Sequence, residues 1–185
     1  TDIHGRDHVT HAELAVTNDG KFLGFKNETI ANLGAYARVF GTVTPTYLFG
    51  PCATGVYEIP AAYSNVKAVF TNTAPVDAYR GAGRPEATYT IERLVEKASM
   101  ELGIDKTELR IKNFPTAFPF KQTLVHTVDS GDYVAGMEKA KQMADYKGFE
   151  ARRKESEAKG KLRGIGVTSY FEACGIAPSA AVMSL

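Results

Sequence analysis

The segment Tyr79-Arg80-Gly81-Ala82-Gly83-Arg84 combines residue types that bind anionic ligands. Glycine tolerates positive φ and lets a ligand approach the backbone closely, where free N–H groups can donate hydrogen bonds. Arg80 and Arg84 add charged donors. The pattern alone is not specific, because the third glycine of a dinucleotide fingerprint and the Lys-Ser/Thr of a phosphate-binding loop are both missing. A tight strand-to-helix turn with surface arginines explains the same spacing.

Three histidines near the start of the chain have the spacing of metal ligands on a helix. The alternating pattern around His4, His8 and His11 favours a strand instead, on which His11 faces away from the other two. Hydrogen bonding at the surface is the simpler role for them. We therefore predict no metal site in this sequence.

The residue types of a nucleophilic site have simpler structural explanations here. Cys174 lies in an apolar segment with no histidine after it, which is typical of a buried structural cysteine. His126, Asp129 and Ser130 have the residue types of a hydrolytic triad. Because Asp129 or Ser130 stands where a helix cap is expected, capping is the preferred role. No catalytic residue is assigned within the chain.

Two elements are predicted to hold the Arg80–Arg84 segment. The β-branched run Val66–Phe70 predicts a strand before it. Pro85 and Glu86 are typical of a first helical turn, and Gly103 is a typical helix end. The apolar face of this helix comprises Ile91, Leu94, Val95, Ala98 and Leu102.

The rest of the chain mixes strands and helices. The sequence predicts an antiparallel hairpin from two runs, His8–Val16 and Lys21–Ala31, around an Asp-Gly turn. Later predictions are a helix capped by Asp105, a helix after Asp129 or Ser130, a charged helix over Glu150–Lys161 and a strand over Gly164–Phe171. No regular βαβ repeat is present, so the fold class is α+β.

Composition narrows the function classes. The 185 residues are 44% hydrophobic with a net charge of +1, which suits a globular core and argues against a nucleic-acid-binding surface. No apolar run reaches the roughly 20 residues of a membrane span. The two cysteines, Cys52 and Cys174, do not form a disulfide framework, so we expect a cytoplasmic protein. The chain starts without methionine, and we expect it to be an internal fragment.

The longer string Val76 to Ala87 resembles the active-site loop of the xanthine oxidase family of molybdenum hydroxylases, most closely the carbon monoxide dehydrogenase and aldehyde oxidase-like large subunits. The resemblance extends over nearly the whole chain, through Asn32–Tyr36, Glu101–Asn113 and Gly164–Gly175. It implies that Arg80, Gly81, Ala82 and Gly83 line a molybdenum-pyranopterin cofactor with their backbone, with Ala82 facing substrate. The cytosine dinucleotide form of the cofactor is expected, with iron–sulfur clusters and FAD on partner subunits.

The resemblance also carries two departures. Carbon monoxide dehydrogenases place a copper-binding cysteine directly after the loop arginine, and Gly81 at that position has no donor atom for copper. Xanthine-oxidising relatives carry a substrate-binding arginine upstream, whereas this chain has Leu48 and Phe49 there. The expected reaction is therefore hydroxylation of an aldehyde, an N-heterocycle or a similar small substrate with water.

Within this family the chain would span the junction of two molybdopterin-binding domains, with residues 1–125 in the first and 126–185 opening the second. The catalytic glutamate of the family would lie outside the sequence, so the chain alone is expected to be inactive. An iron–sulfur small subunit and an FAD medium subunit are the expected partners. The alternative is a self-contained module that binds a phosphate or nucleotide without redox chemistry.

Overall fold

The computed structural model describes residues 2–172, and its first unit is the predicted hairpin. Strand β1 (His8–Val16) pairs antiparallel with β2 (Phe22–Gly34), with a bulge between Ala15 and Val16. Gly20 adopts a φ of +89° in the connecting turn, which explains a glycine there. The hairpin prediction is confirmed, and β2 continues three residues beyond the predicted end at Ala31.

Strand β3 (Ala62–Phe70) joins the other edge of β2 in parallel. A parallel neighbour needs a crossover, and residues 35–61 supply it with two short helical turns, Thr44–Leu48 and Gly50–Cys52. The sequence predicted the second half of β3 but not this parallel pairing. The result is a three-stranded mixed sheet with β2 in the centre.

Helix α1 (Arg84–Leu102) covers the inner face of the sheet. Its buried side chains include Ile91, Val95 and Ala98, as the apolar periodicity predicted. Gly103 ends it in the left-handed conformation. These residues pack in one core with aromatic side chains of β2 and the crossover and with side chains from later in the chain. The core includes Phe22, Phe25, Tyr57, Leu109 and Phe114.

Helix α2 (Lys106–Lys112) begins at the predicted cap, where the Asp105 carboxylate accepts hydrogen bonds from the N–H groups of Thr107 and Glu108 at 2.8 and 3.2 Å. After α2 the chain forms a two-stranded antiparallel ribbon, in which β4 (Phe120–Lys121) pairs with β5 (Thr127–Val128).

Two later predictions need correction. Helix α3 (Tyr133–Met143) is capped by Asp132, which accepts from Ala135 N–H at 2.9 Å, and not by Asp129 or Ser130. A cap must directly precede the first helical residue, and Gly131 separates the two predicted residues from that place. The charged helix is α4 (Phe149–Ala158), which ends before Lys161.

The strand predicted over Gly164–Phe171 is wrong. This segment has no regular secondary structure and pairs with no strand among residues 2–172. Two of its carbonyl groups accept from side chains instead: Arg110 Nη2 donates to the Val167 carbonyl at 2.9 Å, and Lys106 Nζ to that of Ile165 at 3.4 Å. These carbonyls thus have hydrogen-bond partners without a sheet.

The described elements together give the predicted α+β class, with helices and strands that do not alternate as βαβ units. Among residues 2–172, no helix combines the length and the hydropathy that a bilayer crossing requires. Cys174 lies outside the described residues.

Candidate functional site

The glycine-rich segment forms a loop at the start of α1, held on one side by the N-terminal segment. His4 donates through its backbone N–H to the Pro75 carbonyl and accepts from Asp77 N–H, both at 2.9 Å. The close approach leaves no space beside Gly5, where a Cβ would lie 2.6 Å from Tyr79 Cβ. Residues 4–7 therefore run directly along the segment that leads into the loop.

Three successive residues of the loop have positive φ: +87° at Gly81, +31° at Ala82 and +86° at Gly83. The turn is closed by Ala82 N–H donating to the Tyr79 carbonyl at 2.7 Å and Arg84 N–H donating to that of Gly81 at 3.3 Å. None of residues 2–172 accepts a hydrogen bond from the N–H groups of Gly81 and Gly83. Such a nest at a helix N-terminus attracts anionic and strongly polar oxygen atoms.

Both glycines are required by their surroundings. A Cβ on Gly83 would lie 2.5 Å from the carbonyl carbon of Leu48 and 2.6 Å from the nitrogen of Phe49. A Cβ on Gly81 would lie 2.8 Å from Pro85 Cγ. The loop therefore packs against the crossover on one side and against the first turn of α1 on the other.

Two arginines contact the loop carbonyls. Arg6 Nη2 donates to the carbonyl oxygen of Arg80, and its guanidinium lies 4.8 Å from the centre of the Tyr79 ring. Arg84 Nη1 donates to the carbonyl of Ala82 at 3.2 Å. The sequence pointed to Arg84 as a donor to a ligand, whereas here it also donates to the loop itself. Arg6 was missed, because nothing in the local pattern connects it to a loop 74 residues away.

A thiol and an imidazole meet beside Arg84. Cys52 Sγ and His126 Nε2 are 3.6 Å apart. Burial raises the pKa of the Cys52 thiol to about 11, despite the opposing charge of Arg84. Burial, with a smaller contribution from Arg84, lowers the pKa of His126 below its usual 6.5. Both groups are therefore neutral near pH 7, and the pair is a packing contact rather than an activated nucleophile.

Comparison with known proteins decides the family. The model of the molybdopterin cofactor-binding domain family matches residues 1–114. The chain belongs to this family. It is 38% identical to the carbon monoxide dehydrogenase large chain of Hydrogenophaga pseudoflava, over 97% of this chain and 23% of that one. The recognition of a molybdenum hydroxylase large subunit from the loop is confirmed.

Solved structures have the same fold. Quinoline 2-oxidoreductase from Pseudomonas putida 86 superposes with a TM-score of 0.79 and 30% identity, over 84% of this chain and 20% of that chain. A Cu,Mo-CO dehydrogenase in the carbon monoxide reduced state gives a TM-score of 0.74 and 35% identity, over 85% and 21%. The chain thus spans about a fifth to a quarter of the length of these relatives.

The other candidate site residues that the sequence offered do not form a common site in this chain. His11 lies at the surface 3.3 Å from Glu13, while His8 points inward with its ring against Phe49. Within residues 2–172, no three His, Cys, Asp or Glu side chains gather as a set of metal ligands. Ser130 contacts Asp129 at 3.4 Å, whereas His126 faces Cys52, so the triad types are not assembled.

Proposed function

We propose that this chain supplies the cofactor-lining loop of a molybdenum-cofactor-binding large subunit. The observation that carries the proposal is the pair of open N–H donors at Gly81 and Gly83, placed at the N-terminus of the 19-residue helix α1. Phosphate and other anionic oxygen groups suit this arrangement. Membership of the family and the names of its relatives support it.

The loop backbone from Arg80 to Gly83 would hold the cofactor, which supplies the redox chemistry when bound. Gly81 and Gly83 would donate their N–H groups, and Ala82 would face substrate with a small, apolar side chain. The protein part of the task is binding, orientation and exclusion of water. No residue of the chain is proposed as the acid or base of the reaction.

The proposed reaction is hydroxylation of an aldehyde, an N-heterocycle or a similar small molecule with water. The similarity to quinoline 2-oxidoreductase supports a heterocycle as one substrate class.

We also propose the cytosine dinucleotide form of the cofactor, with iron–sulfur clusters and FAD on a small and a medium partner subunit. Because a relative is named as a large chain, a complex of several subunits suits this protein too. A cytoplasmic location suits the free thiol of Cys52.

We propose that the site takes no copper, although a similar structure is a Cu,Mo enzyme. Gly81 has no side-chain donor, and its φ of +87° places the missing Cβ against Pro85. A cysteine at this position would therefore have to rearrange the loop before it could present a thiolate. Carbon monoxide oxidation by a copper–molybdenum centre is accordingly not expected.

We further propose that residues 1–125 belong to a first molybdopterin-binding domain and residues 126–185 to a second. The family match ends at residue 114, inside the first of these two parts. The proposed boundary falls in the turn between β4 and β5, outside the helices of the chain.

The test uses the full-length protein that contains this sequence, purified from its natural host. Molybdenum and copper are measured by mass spectrometry, and cytidine nucleotide is measured after acid release. Activity is assayed with aldehydes, N-heterocycles and carbon monoxide. We expect molybdenum with cytidine nucleotide, little copper, and activity on aldehydes or heterocycles. Active protein without molybdenum would refute the proposal, and nucleotide binding without molybdenum would instead favour the phosphate-binding module.

A further inference from the structure

Two arginine–glutamate pairs flank the glycine loop, and we propose that Arg6 and Arg84 are positioning residues that aim its N–H groups at the bound cofactor. Arg6 donates to the carbonyl of Arg80, and Arg84 donates to the carbonyl of Ala82 at 3.2 Å. Each arginine thus holds one peptide group of the loop. This inference rests on the proposed function.

The geometry of the peptide bond links these contacts to the open donors. A peptide unit is planar and trans, so its C=O and its N–H point in opposite directions. The unit that contains the Arg80 carbonyl also contains the N–H of Gly81, and the unit of the Ala82 carbonyl contains the N–H of Gly83. Holding the two carbonyls therefore fixes the two N–H groups for which residues 2–172 offer no acceptor.

Glycine makes such anchoring necessary. Gly81 and Gly83 both adopt positive φ and have no side chain to restrict rotation of the adjacent peptide groups. Without an external contact, either peptide could flip and present its carbonyl to the ligand. An oxygen-rich ligand would then meet a repulsive acceptor in place of a donor. The two arginines oppose this flip, because each holds its carbonyl with a charge-assisted hydrogen bond.

Arg6 is itself held firmly. Its Nε lies 3.4 Å from Glu86 Oε1, and the Glu86 side chain is only 9% exposed. The guanidinium also stacks 4.8 Å from the centre of the Tyr79 ring. A lysine could keep the charge, but it lacks the planar group that serves a ring, a carboxylate and a carbonyl at once.

Arg84 has a corresponding partner from a different part of the chain. Its Nε lies 3.4 Å from Glu172 Oε1, and the arginine side chain is 13% exposed. Glu172 follows the segment that Arg110 holds through the Val167 carbonyl. The two pairs thus approach the loop from opposite ends of the sequence, which local motifs do not reveal.

The experiment compares Arg6→Met and Arg84→Met with Arg6→Lys and Arg84→Lys in the full-length protein. Arg153→Met is the matched control, because the ion-pair partners of Arg153 among residues 2–172 are Glu150 and Glu157 of its own helix. Molybdenum and cytidine nucleotide per polypeptide are followed during dialysis, together with the Mo(V) electron paramagnetic resonance spectrum and the thermal unfolding temperature.

Loss of one charge-assisted hydrogen bond corresponds to roughly a tenfold or larger change in an equilibrium constant. We therefore expect each methionine variant to lose cofactor about tenfold faster and to shift the Mo(V) spectrum. The lysine variants should recover part of the retention, and Arg153→Met should behave as the parent protein. Arg6→Met leaves the 9%-exposed Glu86 side chain without this partner, so cofactor retention is also compared in Arg6→Met/Glu86→Gln, whose cofactor-free unfolding temperature should stay closer to the parent value.

Cofactor retention and a Mo(V) spectrum equal to those of the parent in both methionine variants would overturn the inference. Cofactor loss that follows only a fall in unfolding temperature would overturn it as well, since that describes a general structural role. The parent protein separates this failure from that of the proposed function, because a parent without molybdenum refutes the function itself.

Discussion

Replacing Gly83 with alanine tests whether the loop is set by close packing against the crossover. Gly83 has φ and ψ of +86° and −33°, which lie outside the regions that residues with a side chain populate. The added Cβ would lie 2.5 Å from the carbonyl carbon of Leu48 and 2.6 Å from the nitrogen of Phe49. These are backbone atoms, so no side-chain rotation can relieve the overlap.

The expected loss in the free energy of unfolding has two contributions. Backbone strain at such a position costs about 1–3 kcal/mol, and overpacking typically costs about 1–3 kcal/mol more. Gly103 at the other end of α1 is the matched control, because its φ of +66° is left-handed but no atom lies within 4 Å of its added Cβ. Gly103→Ala should therefore cost only the strain of about 1–2 kcal/mol.

The assay is denaturant unfolding of the two variants in the cofactor-free full-length protein, monitored by a probe of this domain. Gly83→Ala should lower the free energy of unfolding by about 1–4 kcal/mol more than Gly103→Ala. In the cofactor-loaded protein, only Gly83→Ala should also reduce the molybdenum content. Equal destabilisation by the two substitutions would refute the argument, because the crossover would then not pack against the loop.

Three further predictions concern the core and the pH response. Burial lowers the pKa of His8 and His126, so the neutral rings are favoured in the folded state. Their stabilising effect should be complete above pH 6.5 and disappear as the pH falls through the lowered pKa values. Melting curves of the parent and of a His8→Asn/His126→Asn variant check this, because the melting temperature of the variant should depend less on pH. Cys52, with a pKa of about 11, should react with iodoacetamide at pH 8 only after unfolding, as peptide mass spectrometry can measure. Arg110→Met should lower the free energy of unfolding by about 3–5 kcal/mol in denaturant titrations, since it leaves Glu92 buried without its 2.9 Å partner.

Local sequence signals predicted those elements whose boundaries depend on neighbouring residues. Pro85, Glu86 and Gly103 define the ends of α1, and Asp105 caps α2, because the groups they satisfy lie within one turn. The cap of α3 was misplaced by two or three residues, since several residues before Tyr133 are chemically able to cap. Capping residues therefore predict the presence of a helix more accurately than they predict its first residue.

Long-range contacts were not predictable in this way. The segment around Val167 has the composition of a strand, yet the Val167 carbonyl accepts a hydrogen bond from the buried Arg110, 57 positions earlier. Arg6 reaches the loop across 74 positions, and Cys52 reaches His126 across the same separation. The loop motif identified the family, but the side chains that hold the loop are determined by tertiary structure.

The core and the loop are connected through α1. Glu92 lies on this helix, accepts a hydrogen bond from the Tyr57 hydroxyl and pairs with Arg110 at 2.9 Å. Arg110 in turn holds the segment that carries Glu172 to Arg84. Because this buried network restricts the rotation of α1, it also restricts the direction in which the first turn of α1 presents the loop. The positive φ of Ala82, which has a side chain where Gly81 and Gly83 have none, is therefore tolerated in a loop that a packed helix and two arginines hold in place.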